Sequence, residues 1–216
     1  LQQIKWKKIN IEKLIKRYES NNDLRTDRKT PFKQGNYYIA TDAHSMIYTE
    51  CDKIELECEE RLKPNALHII ESELHDPIKV DINLIGSFIN DKHKEMNEII
   101  EELKTCKDCM GSGEVEWEYE NYTKDDECPV CEGRRESMQE VETDKIVVDH
   151  STTYEVFDSK FSYTLLERLV NSCRMIGEPC YKIRGIERQS FHFKCGDFTI
   201  VLMPIMSDAD YQISNI

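Results

Sequence analysis

Four cysteines carry the clearest chemistry in this sequence. Cys106 and Cys109 form one C-x2-C pair, Cys128 and Cys131 form another, and eighteen residues separate the two pairs. Two residues between thiols let both sulfurs of a pair reach one ion from a tight knuckle, and nearby glycines let backbone amides turn toward the sulfurs. The expected occupant is zinc, held tetrahedrally by four thiolates. Because every ligand position is cysteine, no coordination site stays open for a reacting water, so the zinc is expected to be structural rather than hydrolytic. A redox dithiol is the other chemistry open to a C-x2-C pair.

The other five cysteines, Cys51, Cys58, Cys173, Cys180 and Cys195, are scattered among apolar neighbours and read as small core residues. Nine cysteines is an odd set in a chain of 216 residues. That favours a reducing compartment over a secreted disulfide scaffold. No run approaches the ~18 apolar residues of a membrane span, and the first residues lack an apolar signal core. A trimmed N-terminus and a cytoplasmic protein are expected.

The cysteine pairs need an element to hold them together. Residues 114–120 alternate strictly, with Glu114, Glu116, Glu118 and Glu120 on one face and Val115, Trp117 and Tyr119 on the other, the pattern of a β-hairpin arm. The arm is expected as an insertion over residues 101–147 in a domain made of residues 1–100 and 148–216. In that domain, Ile11, Leu14, Ile15 and Tyr18 repeat at helical spacing behind an Asn10 cap. Residues 32–49 read as strands turned at Gly35 and at Asp42. Leu84, Ile85, Phe88 and Ile89, followed by Met96, Ile99, Ile100 and Leu103, keep a helical spacing up to the first cysteine pair. A further helix, capped by Asp158 or Ser159, buries Leu165, Leu166, Leu169, Val170, Cys173 and Ile176 and stops at Gly177. Strands follow over residues 180–184, 191–195 and 198–203. The repeated order of strand, helix and strands suggests an internal duplication of a βαβββ unit within an α+β fold.

The 29 Lys and Arg against 42 Asp and Glu give a net charge of −13, which argues against a protein that coats nucleic acid over its whole surface. The charge is segregated, however: residues 1–33 hold ten basic and four acidic side chains, residues 101–150 six and sixteen. The basic end centres on the first helix. Lys13, Lys16 and Arg17, with Lys5, Lys7 and Lys8 ahead of them, are the candidates for phosphate contact. Asp42 and His44 have no nucleophile motif beside them, and a turn-forming Asp with a packed or surface His is the expected role. The sequence offers no phosphate-binding glycine loop either, and a non-enzymatic protein is expected.

Two resemblances add to this reading. The C-x-x-C-x-G-x-G run at residues 106–113 resembles the cysteine-rich modules of DnaJ-type co-chaperones, over about 30 residues and without the His-Pro-Asp signature of the J-domain. It implies a fold element only. Ala-Thr-Asp-Ala-His-Ser-Met at residues 40–46 and Met-Pro-Ile at residues 203–205 are similar to the Ala-Thr-Asp-Gly-His-Arg-Leu and terminal Met-Pro-Met segments of the bacterial DNA sliding clamp, the β subunit of DNA polymerase III. The similarity spans residues 4–50 and 154–206, and Ala43 and Ser45 replace the family's Gly and Arg. It implies a clamp-like domain of two βαβββ halves with its helices on a DNA-facing wall. It also implies a peptide groove, for which Thr41, Ala43, His44, Met203, Pro204 and Ile205 are candidates. The combined expectation is a clamp-like accessory protein of DNA metabolism, encoded by a bacterium, phage or mobile element, with a zinc arm that recruits protein partners and with oligomerisation open to it. The alternative is a zinc-arm adaptor that binds protein and no DNA.

Overall fold

The computed structural model describes residues 10–20, 30–62, 64–71, 76–120, 122–185 and 189–213. The expected strand bearing Lys5, Lys7 and Lys8 lies outside them. In chain order the elements are α1 (Ile11–Lys16), β1 (Phe32–Gln34), β2 (Tyr37–Thr41), β3 (Ser45–Glu50), α2 (Leu67–Ile70), β4 (Ile78–Val80), α3 (Ile82–Asp91), β5 (Glu95–Thr105), β6 (Glu114–Tyr119), β7 (Tyr122–Glu127), β8 (Glu136–Val148), β9 (Thr153–Val156), β10 (Ser159–Ser162), α4 (Tyr163–Ile176), β11 (Cys180–Arg184), β12 (Phe191–Cys195), β13 (Phe198–Leu202) and β14 (Tyr211–Gln212). The fold is α+β with mostly antiparallel sheets. It divides into two compact units, one of Leu1–Lys94 with His150–Ile216, the other of Glu95–Asp149.

The first unit is built on a sheet of order β1-β2-β3-β13-β12-β11-β4. Two antiparallel meanders, β1–β3 and β11–β13, meet where β3 pairs with β13 from Ser45↔Leu202 to Thr199↔Tyr48. Each meander follows a helix, α1 in one case and α4 in the other. All five residues of β13 are buried, as a strand covered on both faces requires. One covering layer is visible in the cluster of Phe32, Ile39, Met46, Tyr48 and Val201 with Ala66 and Ile70, which brings α2 onto the sheet. Burial of each such side chain contributes roughly 1.5–3 kcal/mol.

In α4 the side chains of Leu165, Leu166, Leu169, Val170, Cys173 and Ile176 are buried, and Gly177 ends the helix in the left-handed conformation at φ 77°. Its N-cap is Ser162, whose hydroxyl accepts from the Leu165 amide, not Asp158 or Ser159. Those two residues instead leave the β9–β10 turn, where Phe157 and Asp158 both have positive φ. The residues following α1 touch α4 through a buried hydrogen bond between Tyr18 Oη and Ser172 Oγ, 2.8 Å long.

The helical spacing read at Met96, Ile99, Ile100 and Leu103 does not make a helix. α3 ends at Asp91, and these residues lie in β5, which pairs with β8 through ten partners and a bulge between Asn97 and Ile99. The bulge resets which face each side chain takes, so an apolar series at three- and four-residue spacing is accommodated by a two-stranded ribbon. The ribbon and the β6–β7 hairpin make up the second unit. Among the described residues no helix is long and apolar enough to cross a membrane.

Candidate metal centre

Two knuckles at the base of the β6–β7 hairpin bring the four cysteines together. Cys106 takes its backbone bond from β8's side of the ribbon, donating to the Arg135 carbonyl at 2.9 Å, and the Gly111 amide closes the first knuckle on the Cys106 carbonyl at 3.1 Å. The second knuckle closes in the same way, Glu132 N to Cys128 O at 2.8 Å. Gly113 sits at the junction with φ 85°, and its amide donates to Cys109 Sγ at 3.3 Å while its carbonyl accepts from the Cys128 amide. A Cβ there would lie 2.9 Å from the Gly133 carbonyl oxygen, so only glycine fits.

All four thiols are buried, with their sulfurs within 4.8 Å of one another. Cys106 and Cys128 are 3.8 Å apart at sulfur, Cys109 and Cys131 3.7 Å. A tetrahedral ion with metal–sulfur bonds of ~2.3 Å has sulfur–sulfur edges of about 3.8 Å. The cluster therefore has the size of a four-sulfur metal site, and Val115 packs against it from the hairpin. Burial raises the Cys109 thiol, but the Gly113 and Gly111 amides and the neighbouring thiols outweigh it and bring the group down to about 6. For Cys131, burial and the other thiols push it up to about 11. Four thiols this close ionise together only around a cation.

The hairpin register sorts its side chains. Glu114 faces Glu127 and Glu116 faces Asp125 across the strands, giving one acidic face. Glu120, at φ 54°, belongs to the turn, so the expected fourth glutamate of that face is replaced by carboxylates from β7. On the other face Trp117 pairs with Lys124 and Tyr119 with Tyr122, and all three aromatic rings are more than half exposed. Among the described hydrophobic side chains of the hairpin, Val115 packs against the knuckles. The unit of Glu95–Asp149 holds six basic and eighteen acidic residues, a net −12 of the chain's −13.

The other expected site residues lie in the first unit. Lys13 and Lys16 are exposed on α1, whereas Arg17 is half-buried with its Nε lacking a hydrogen-bond partner. In α4, Arg168 is committed to Asp42, to Ser45 Oγ and to the face of Tyr18, its guanidinium carbon 5.5 Å from the ring centre. Arg174 lies across Gly86 of α3. Asp42 also accepts the His44 and Ser45 amides at 3.0 and 2.8 Å, and His44 itself is exposed. Burial raises the Asp42 carboxyl, but Arg168 and these amides together hold it below its ordinary value.

Of the six groove candidates, Thr41, Ala43 and Met203 line one cavity of about 170 Å³, with Ser45, Met46 and Val201. His44 contributes its carbonyl, which accepts from the Met203 amide at 2.9 Å. Pro204 and Ile205 line a different cavity of about 370 Å³, with Asp158, Ser159 and Lys160. Sequence reasoning missed the opposite wall of the first cavity, Pro64, Asn65, Ala66 and Ile69. It also missed buried Gln34, which fixes that wall: its Nε2 donates to the Arg61 and Pro64 carbonyls, and its Oε1 accepts from the Ala66 and Leu67 amides. A glutamine on a short strand carries no local signal of this role. No protein-family model matches the chain, and no curated protein matches it in sequence.

Proposed function

We propose that this protein is a non-enzymatic, clamp-like accessory factor of DNA metabolism whose second unit, stapled by zinc, recruits a protein partner. The observation that carries the reading is the junction of β3 and β13. It joins two helix-plus-three-strand halves and sets the Thr41–Ala43 turn beside Met203, the two segments that resemble the sliding clamp. In the clamp family these segments come from neighbouring domains, whereas here they meet within one. Zinc is the metal that a closed, buried set of four thiolates selects, and it acts as a staple for a hairpin that could not hold its own fold.

DNA contact falls to Lys13 and Lys16 of α1, through phosphate rather than base edges. Binding of a fluorescent duplex should weaken with salt and be lost in a Lys13→Glu/Lys16→Glu variant; unchanged binding removes DNA from the role of α1. The second reading, an adaptor that contacts protein and no DNA, is favoured by how few cations are available: Arg168 is consumed by Asp42. Absence of duplex binding at low salt by the wild-type protein, with a basic protein partner retained, selects that reading.

A further inference from the structure

The β6–β7 hairpin presents two chemically different faces on one open strand. The register puts Glu114, Glu116 and Glu118 of β6 on the side of Asp125 and Glu127, and Val115, Trp117 and Tyr119 on the other. Trp117, Tyr119 and the facing Tyr122 are 58%, 76% and 72% exposed. The hairpin is a sheet of two strands, so the outer edge of β6 has no strand beside it among the described residues. An isolated two-stranded sheet is marginal in water, and like charges directly opposite one another, as in Glu114↔Glu127 and Glu116↔Asp125, weaken it further. Residues 114–127 hold seven acidic side chains and one basic, Lys124. Lys124 is tied to Asp126 at 2.9 Å, and elsewhere in the unit Lys104, Arg134 and Lys145 are tied to Glu102, Glu132 and Glu98. Arg135 shares the wall of a cavity at the hairpin base with Glu114, Asp125 and Glu127, and Lys107 belongs to the first knuckle. Glu116 and Glu118, towards the turn, are exposed and outside that wall.

We infer, resting on the reading of the second unit as a recruiter of protein, that the outer edge of β6 takes up an extended, lysine- or arginine-bearing segment of the partner by strand addition. A strand laid along that edge hydrogen-bonds to β6 through its backbone and turns alternate side chains to opposite faces. Cations on one side meet Glu116 and Glu118. The residues between them lie over Trp117 and Tyr119, where an apolar side chain buries aromatic surface and a guanidinium gains a cation–π contact. β6 rather than β7 is the receiving edge, because β7 places Lys124 on the aromatic face and Thr123 within the acidic row. Charge also selects against other occupants. The net −12 of the unit repels a nucleic-acid backbone. Two copies paired antiparallel through this edge would line glutamates beside glutamates, and charged edges of this kind keep open strands from pairing with themselves.

The experiment uses the full-length, zinc-loaded protein and a dye-labelled synthetic peptide of alternating arginine and valine, with binding read by fluorescence anisotropy. A comparison peptide has the same composition with its arginines in one block. The alternating peptide is expected to bind more tightly than the block peptide and to weaken as salt is raised. Binding should fall about tenfold in Trp117→Ala/Tyr119→Ala, and by a similar factor in Glu116→Gln/Glu118→Gln, with zinc content unchanged in both variants. Equal binding of the two peptides, or wild-type binding in either variant, overturns strand addition while leaving recruitment of a basic partner in place. No binding of either peptide to the wild type overturns both. A dimer seen without peptide or DNA that dissociates in Trp117→Ala/Tyr119→Ala gives the face to a second copy and overturns the assignment as well.

Discussion

Arg168 of α4 and Asp42 of the β2–β3 turn form an ion pair with both side chains less than one-fifth exposed, across 126 residues of sequence. The same guanidinium reaches Ser45 Oγ and covers the Tyr18 ring, so one side chain ties α4 to the turn and to the residues following α1.

Removing Arg168 leaves the Asp42 carboxylate half-buried and without its counter-charge. Arg168→Gln is expected to destabilise the protein by about 2–3 kcal/mol, below the usual cost for a fully buried pair. Because the Asp42 carboxyl is held below its ordinary value when folded, its contribution is complete above the unfolded value of ~3.9 and is lost as pH falls through the folded one. Urea denaturation of the wild type and variant at pH 7 and pH 3 checks this: the gap between them should narrow at pH 3.

His192, fully buried on β12, adds a second pH dependence at higher pH. Burial first, and the Arg184 charge second, bring it down to about 4. Its Nε2 meets Ser190 Oγ at 3.1 Å, while Nδ1 has no hydrogen-bond partner. The folded state therefore binds fewer protons than the unfolded state between about pH 4 and 6.5, and stability falls as the solution is acidified across that window, by up to about 3 kcal/mol. A His192→Gln variant should lose this slope when denaturation midpoints are compared at pH 7 and pH 5.

Ala43 holds φ 80°, a conformation that costs a residue with a Cβ roughly 1–2 kcal/mol. Glycine removes that cost but widens the unfolded ensemble, at about 0.4–1 kcal/mol. Ala43→Gly is thus expected to raise stability by a net ~0.5 kcal/mol, read as a higher unfolding midpoint. A lower midpoint would show that the methyl group makes a compensating contact in the cavity.

Gln34 satisfies two carbonyls and two amides at the entry to α2, and no side chain of the local segment caps that helix. Gln34→Leu should cost about 1–3 kcal/mol by leaving buried backbone groups unpaired. Faster hydrogen exchange at the Ala66 and Leu67 amides is the specific signature.

These long-range roles explain what the sequence could and could not disclose. The buried stripe of α4, its Gly177 stop and the knuckle spacing are local patterns, visible in consecutive residues. Asp42 was readable as a turn former, because its acceptor geometry involves only the next three residues, but its partner Arg168 was not. The β5 strand was missed because its pairing partner, β8, begins at Glu136, beyond both knuckles. A helical period in Met96, Ile99, Ile100 and Leu103 was the only local signal, and it was the wrong one. Gln34 and the Pro64–Ile69 wall were invisible for the same reason: each is defined by the other.

The zinc assignment is checked by elemental analysis of protein purified without added metal. One zinc per chain is expected, and Cys106→Ser/Cys128→Ser should retain none. The same double variant should show increased protease cutting within the Glu95–Asp149 unit, since structural zinc contributes folding free energy directly. Full zinc retention by the double variant would place the metal elsewhere.

The clamp-like reading is tested most directly by the native mass of the metal-loaded protein with and without a DNA duplex. One clamp-like unit encloses DNA only as several copies, so the expected result is a DNA-dependent species containing more than one copy of the chain and one duplex. A single copy in every species, with or without bound duplex, contradicts it.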